Sequence, residues 1–273
     1  MNKNDHKQKV KESFDMASEG YDCHGLRFFI ESAKHLIKSI NLKGNEKFLD
    51  TATGTGHVAI AAAQELPNGN VIGIDISNKM LERAERKTID KKLSNLIFKC
   101  CDIEDMGFKK FSFDVACCAF GIFLLPDMEK GLSCISKVVK PGGKLAMTSF
   151  TKALMEPLNG TFLDRLKRYD IKPSTLSWKR LDSPDKINEL LSNSGFQDIN
   201  IQSKQMGYFL KDSLEWWDIL LNSGYRGLLN QLSTKDLAQF KNDHLQEVDN
   251  FADEEGIWLD VEVLLATFAI NSH

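Results

Sequence analysis

The chain has 273 residues, 42% of them hydrophobic and 27% charged, the composition of a globule large enough for one sizeable α/β domain. A formal charge of −3 and a pI near 6.1 leave no basic face for a nucleic-acid partner. The polar start, Met1 to Lys11, does not read as a secretory signal, and the longest apolar run, Val115 to Leu125, is too short to form a transmembrane span, so a cytoplasmic protein is expected.

Up to about residue 45 the pattern is helical, with Phe29, Ala33, Ile37 and Ile40 at helical spacing. From Glu46 to Phe150, β-prone runs centred on Leu49, Ile72, Ile97, Ala116 and Leu145 alternate with helical patterns at Val58 to Leu66, Ser77 to Lys92 and Asp127 to Lys140. Ser77 and Asp127 are natural N-caps for the last two. Such alternation predicts a mostly parallel sheet covered by helices on both faces. Leu154 to Tyr169 predicts a further helix, followed by a polar loop around Pro173 and Ser177. Ser183-Pro184 opens a short helix over Asp185 to Ser194, which Gly195 closes. Ile199 to Phe209 alternates as a strand, Asp212 to Asn230 and Ser233 to Phe251 predict amphipathic helices, and Ile257 to Ile270 predicts a long closing strand. No repeat or low-complexity linker divides the chain. One domain is therefore expected over 1–273: a helical lid at 1–45, a core at 46–150, and C-terminal strands at 151–273 carrying a helical insertion near 211–252.

Three of the β-prone runs stop at a carboxylate: Asp50, Asp75 and Asp102. In an open parallel sheet ligands sit at the carboxyl ends of the strands, so all three are expected at one pocket. Asp50 leads into Gly54-Thr55-Gly56, where glycine lets the main chain turn tightly and a ligand come close to it. The spacing Gly54-x-Gly56-x-x-Ala59 with Asp75 about twenty residues on also satisfies a dinucleotide fingerprint, and Asp75 suits two ribose hydroxyls in either case. Asp50 separates the two ligands. A carboxylate there repels a pyrophosphate and suits an ammonium or sulfonium group. Asp102 is placed to accept from an adenine amine, with Ile76, Met80 and Ile103 as packing surfaces for the ring. S-adenosylmethionine is the cofactor these residues favour.

The combined motifs resemble the class I S-adenosylmethionine-dependent methyltransferases, and among them the ubiquinone/menaquinone-biosynthesis type. Asp50-Thr51-Ala52-Thr53-Gly54-Thr55-Gly56 is similar to its cofactor loop, with Ala52 where other class I enzymes carry a first glycine. Phe14-Asp15 to Tyr21-Asp22 resembles its N-terminal signature, Phe113-Asp114-Val115 to Phe120-Gly121 its fourth strand, and Val139 to Leu145 the turn into its fifth. The likeness spans roughly residues 10–150. It implies a Rossmann-like seven-stranded, mostly parallel sheet whose last strand is antiparallel, with Ile199 to Phe209 and Ile257 to Ile270 as the sixth and seventh strands. It also implies cofactor contacts at Tyr21, Asp50, Thr51, Ala52, Gly54, Gly56, Asp75, Ile76, Met80, Asp102, Ile103 and Phe120. Quinone-pathway members are shorter after the fifth strand. Ala119-Phe120-Gly121 also departs from the motif of nucleic-acid amino-methylating enzymes, which points to a small-molecule acceptor.

Methyl transfer needs a general base only if the acceptor must lose a proton, and no residue is singled out as one. His57 is expected chiefly to begin a helix. His24 lies beside the predicted lid turn, where a role at the site and a plain surface position are equally open, and His6, His35, His244 and His273 are expected in solvent. The six cysteines, Cys23, Cys100, Cys101, Cys117, Cys118 and Cys134, lack metal-ligand spacing and read as small buried apolar side chains, with no metal expected. Trp216 and Trp217, near Tyr208, Phe209, Tyr225 and Arg226, are about 100° apart on a helix, so one of them is expected to face a flat acceptor's pocket or a second copy in a homodimer. Two other readings stand beside methyl transfer: an NAD(P)-dependent oxidoreductase, and a non-catalytic cofactor-binding protein.

Overall fold

The computed structural model describes residues 3–172 and 176–270, so Pro173 and His273 lie outside the described residues. In chain order the elements are α1 (Lys3–Ala17), α2 (Phe28–Ile40), β1 (Lys47–Thr51), α3 (His57–Glu65), β2 (Asn70–Asp75), α4 (Asn78–Asp90), β3 (Leu96–Cys100), β4 (Phe113–Ala119), α5 (Met128–Val138) and β5 (Val139–Phe150). The C-terminal part adds α6 (Leu158–Lys167), α7 (Pro184–Asn193), β6 (Gln197–Gln205), β7 (Tyr208–Leu210), α8 (Ser213–Leu221), α9 (Arg226–Leu229), α10 (Thr234–Asp249), β8 (Ala252–Asp253), β9 (Gly256–Leu259) and β10 (Glu262–Ala269).

Seven strands form the main sheet in the order β3-β2-β1-β4-β5-β10-β6. All are parallel except β10, which runs antiparallel to both β5 and β6. The expected Rossmann-like architecture is therefore present. Central strands are covered on both faces, which explains why Phe48 and Leu49, adjacent and on opposite faces, are both fully buried. The helices reach the sheet through narrow apolar stripes: Met80, Leu81 and Ala84 on α4, and Val58, Ala59, Ala62 and Ala63 on α3. Ser77 and Asp127 cap α4 and α5 as expected, their side chains accepting from the main-chain N–H of Met80 and Lys130.

Three expectations in the C-terminal part are corrected. Ile199 to Phe209 is two strands, β6 in the main sheet and β7 in a small sheet of order β7-β9-β8. Ile257 to Ile270 likewise divides into β9 and β10. The breaks at Met206-Gly207 and Asp260-Val261 face each other, with Met206 N–H donating to Val261 O at 2.8 Å, so both partners bend together. Period-two alternation continues through such a bend and cannot report it. Asp212 to Asn230 is α8 and α9, parted by a turn at Asn222 to Tyr225.

Trp216 and Trp217 are 0% and 4% exposed, so neither is left over for a pocket or a partner. Both indoles reach α10: Trp216 lies 6.4 Å from His244 and Trp217 6.3 Å from Phe240, ring centre to ring centre. Residues one turn apart on α10 thus cover the 100° spread. His244, expected in solvent, is fully buried and accepts through Nε2 from Trp216 Nε1 at 2.9 Å. Of the cysteines only Cys117 and Cys118 are buried, and all six are free. Among the described residues no cluster of three or more His, Cys, Asp or Glu could hold a metal, and no helix is long and apolar enough to cross a membrane.

Candidate active site

The glycine loop leaves β1 through left-handed backbone at Ala52 (φ 55°), Gly54 (φ 54°) and Gly56 (φ 85°). Asp50, 1% exposed, braces it from below, accepting from Thr53 Oγ1 at 2.6 Å, Ala59 N–H at 3.0 Å and Cys117 Sγ at 3.1 Å. Burial pushes the Asp50 carboxyl up to about 6 in spite of these donors. Asp75, at the end of β2, accepts from Gly54 N–H and from Ser77 N–H, each at 2.9 Å, and burial raises its pKa as well. The two strand ends are thereby tied together across the loop. A Cβ added to Gly54 would meet nothing within 4 Å, so open space lies directly over its main chain.

A cavity above this loop is bordered by Tyr21, Asp50, Ala52, Gly54, Asp75, Ile76, Met80, Asp102, Ile103 and Phe120. Ten of the twelve expected contact residues therefore meet there. Thr51 and Gly56 do not. Thr51 is fully buried and donates to Cys117 O at 2.7 Å, while a Cβ on Gly56 would sit 3.0 Å from Ala84 and 3.1 Å from Phe98. Both support the loop from behind. The sequence reading missed Lys7 and Val10, which join Phe14 on the cavity face of α1. Their 7, 10, 14 spacing is a helical stripe, a signal obscured by the charged residues between them.

The segment before α2 is tied to this site by polar contacts. Lys7 Nζ lies 2.6 Å from Asp102 Oδ2 and 3.2 Å from Glu104. Ser77 Oγ donates to Asp15, and His6 Nε2 lies 2.8 Å from Leu124 O. Asp22 receives Thr55 Oγ1 at 2.7 Å and Lys87 Nζ at 2.9 Å, with His57 Nε2 at 2.8 Å. Burial alone would raise the Asp22 carboxyl; the hydrogen bonds from His57 and Lys87, with the charge of Lys87, hold it well below the usual carboxylate range. His57 does open α3, and it also borders the cavity. His24 is exposed, its Nδ1 2.6 Å from Glu215 Oε1.

A second cavity adjoins the first and shares Phe14, Tyr21, Phe29, Phe120 and Leu124 with it. It encloses about 1060 Å³, its open mouth included. Phe28, Phe123, Phe150, Trp178 and Tyr225 give it aromatic walls, with Ser177, Ser223, Gly224 and Gly227 and several leucines also in the lining. Phe120 and Phe150 stack at 4.5 Å, and Tyr21 stacks on Phe29 at 5.2 Å. The tryptophan on this cavity is Trp178, in place of the expected Trp216 or Trp217. Of the aromatic cluster named from sequence only Tyr225 takes part, its hydroxyl donating to Asn159 Oδ1 at 2.9 Å. Tyr208 instead donates to Gly25 O, and Phe209 packs on Trp258.

A family model described as a methyltransferase domain matches residues 42–213, from the turn before β1 to the start of α8, past the main-sheet strand β6. The chain belongs to this methyltransferase family. The aklanonic acid methyltransferase DauC of Streptomyces sp. strain C5 is 31% identical over 150 residues, covering 55% of this chain and 68% of that one. A ubiquinone/menaquinone biosynthesis C-methyltransferase UbiE of Geobacter sp. strain M21 is 30% identical over 179 residues, covering 60% of this chain and 75% of that one. The YcgJ protein of Bacillus subtilis shares the fold, with a TM-score of 0.61 at 20% identity over 89% of this chain and 99% of its own. The chain is a class I methyltransferase that uses S-adenosylmethionine, not an oxidoreductase. The first cavity of the methyltransferase fits that cofactor. Asp75 keeps lone pairs free for ribose hydroxyls beyond the two N–H groups it accepts, and the space over Gly54 admits a ligand to the loop.

Proposed function

We propose that this methyltransferase acts on an oxygen, nitrogen or carbon of a flat, apolar small molecule held in the second cavity. The observation that carries the reading is the wall of five residues, Phe14, Tyr21, Phe29, Phe120 and Leu124, common to both cavities. Two ligands in those cavities meet at that wall. The names of the relatives, which specify aklanonic acid and quinones, support an acceptor of this kind. In this reading Asp75 holds the ribose, Ile76, Met80 and Ile103 pack on the adenine beside Asp102, and Asp50 with Ala52 and Gly54 forms the floor beneath the methionine part. Thr51 and Gly56 act from behind, by fixing the loop.

The cofactor, when bound, supplies a methyl group activated by positive sulfur. The chain's share is alignment and exclusion of water, and alignment of this sort is worth roughly 7–11 kcal/mol at best. Tyr21 is suited to the junction as a hydrogen-bond donor: a phenol keeps its proton at neutral pH, and burial pushes its pKa further up. The aromatic walls of the second cavity suit a flat ring, which edge-to-face and stacked contacts would hold at a fixed angle. The division into lid (1–45), core (46–150) and C-terminal insertion (near 211–252) is proposed on the sequence pattern, as are a cytoplasmic location, an acceptor other than nucleic acid on the acidic charge balance, and a homodimer. The buried tryptophan pair no longer bears on the last of these.

Thermal unfolding with S-adenosylmethionine, S-adenosylhomocysteine, NAD and NADP tests the first cavity. A ligand at a hundred times its Kd adds about 2.7 kcal/mol, a shift of several degrees in Tm. Stabilisation by the two sulfur nucleosides alone is expected. An acceptor panel of flat naphthols and naphthohydroquinones against hydrophilic amines then tests the second cavity, with S-adenosylhomocysteine release as the signal. Turnover confined to the amines would overturn the assignment.

A further inference from the structure

The turn at 18–22, between α1 and the short helix His24–Leu26, touches both ends of the site. On one side Asp22 gathers Thr55 of the glycine loop, His57 at the start of α3 and Lys87 in the last turn of α4. On the other side Gly20 sits so close to Asn222 that a Cβ there would fall 2.0 Å from Asn222 Oδ1. Asn222 begins the α8–α9 turn, whose next residues, Ser223, Gly224 and Tyr225, line the second cavity. Between the two contacts stands Tyr21, a member of the wall common to both cavities.

We propose that Asp22 is a positioning residue that couples the two cavities, transmitting the state of the glycine loop through the 18–22 turn to Tyr21 and the Asn222–Tyr225 turn. This rests on the assignment of the first cavity to the cofactor and the second to the acceptor. The carboxylate gathers donors from three elements on the cofactor side, and Thr55 belongs to the loop over which the cofactor lies. Any adjustment of that loop reaches Asp22 directly. The rigid step from Asp22 to Tyr21 is one residue, and the turn is closed by Gly20 N–H to Ala17 O at 3.1 Å and Cys23 N–H to Gly20 O at 2.9 Å. A tight turn gripped on one side and seated on the other moves as a unit. Coupling of this kind is reciprocal, each ligand changing the affinity of the other by the same factor.

Calorimetric titration with 1-naphthol, in the presence and absence of saturating S-adenosylhomocysteine, tests the proposal without turnover. The unaltered chain should bind 1-naphthol about five- to tenfold more tightly with the nucleoside present, within the usual range for such coupling. The double variant D22N/K87M removes both charges while keeping their volume. It should bind S-adenosylhomocysteine within about threefold of the unaltered chain, with the coupling reduced below about twofold. N222A should weaken the coupling from the other side, and it carries the test should the double variant not fold. Coupling that persists in either folded variant overturns the proposal, as does its absence from the unaltered chain. A loss of nucleoside affinity beyond about tenfold in D22N/K87M would make Asp22 part of the cofactor site itself and overturn the positioning role. Failure of the underlying assignment has a separate sign: 1-naphthol binding that is indifferent to G224F places the acceptor elsewhere, and the proposal falls with it.

Discussion

Lys7 Nζ stands 2.6 Å from Asp102 Oδ2, so the carboxylate at the end of the third strand is paired with a cation delivered by the first helix. Its other oxygen accepts Glu104 N–H at 2.9 Å. Asp102 therefore holds α1 down, and in the proposed cofactor site it has a second task, presenting its remaining lone pairs to an adenine amine. The two separate by mutation. K7M should loosen α1, raising its proteolytic sensitivity, and change cofactor affinity by less than about threefold. D102A should do the same to α1 and also cost about 1–2 kcal/mol of cofactor binding. Equal losses of cofactor affinity in the two variants would reduce Asp102 to an anchor for the helix.

Asp75 has a sharper expected effect. Loss of two ribose hydrogen bonds in D75A should weaken S-adenosylhomocysteine binding by about 2–4 kcal/mol, taking roughly 1–2 per bond. The same change releases Gly54 N–H and Ser77 N–H, so the loop should loosen too. Calorimetry on the folded variant checks the first effect, and hydrogen exchange at Gly54 checks the second. Undiminished affinity would remove Asp75 from the cofactor site.

Gly224 offers a clean probe of the second cavity, because a Cβ there meets nothing within 4 Å. G224F should fill the aromatic chamber without forcing the main chain. The acceptor KM should rise at least about tenfold, with cofactor affinity and Tm nearly unchanged, which corresponds to the loss of about 1.4 kcal/mol or more. In contrast, W216A and W217A are expected to cost about 3–5 kcal/mol of stability as core truncations, since both indoles are buried. Differential scanning calorimetry distinguishes the two kinds of effect.

His244 sets a pH dependence. Burial lowers its pKa from 6.5 to about 4, the carboxylate of Glu247 offsetting this only in part. Between those values the unfolded chain binds the proton and the native chain does not, so stability falls as pH drops from about 6.5 toward 4, by up to about 3 kcal/mol. Asp50 acts in the opposite sense. Burial raises its pKa from 3.8 to about 6, the native state takes the proton first, and stability is gained as pH falls through 6. Urea titrations of H244Q, whose side chain can still accept from Trp216, isolate the histidine: its loss of stability from pH 6.5 to 4 should be smaller than that of the unaltered chain. Identical slopes would show that His244 does not control the acid limb.

The core was legible because each of its signals is local. Asp75 ends β2, Asp50 stands one residue before the end of β1 and Asp102 two residues past β3, each close behind a short β-prone run, and Ser77 and Asp127 announce their helices one residue ahead. The C-terminal part resisted reading for a specific reason. Its paired bends at Met206-Gly207 and Asp260-Val261 interrupt the hydrogen bonding without interrupting the alternation of side chains. The second cavity was harder still. Trp178 sits in a short 3-10 helix with no periodic pattern to mark it, and Gly224 lines the cavity by lacking a side chain. Trp216 and Trp217 drew attention by being large and adjacent, yet one face of α10, at Phe240 and His244, takes them both. Lys7 depends on a partner 95 positions away, which no local rule supplies.

The segments Leu176 to Trp178 and Ser223 to Leu228 border the second cavity and have no part in the first. On the assignment proposed above, substitutions there reshape what is accepted at one end while the residues proposed to grip the nucleoside stay as they are. Lineages of this scaffold are thus free to diversify in their acceptors by drift in two short stretches, with no intermediate obliged to surrender its cofactor along the way.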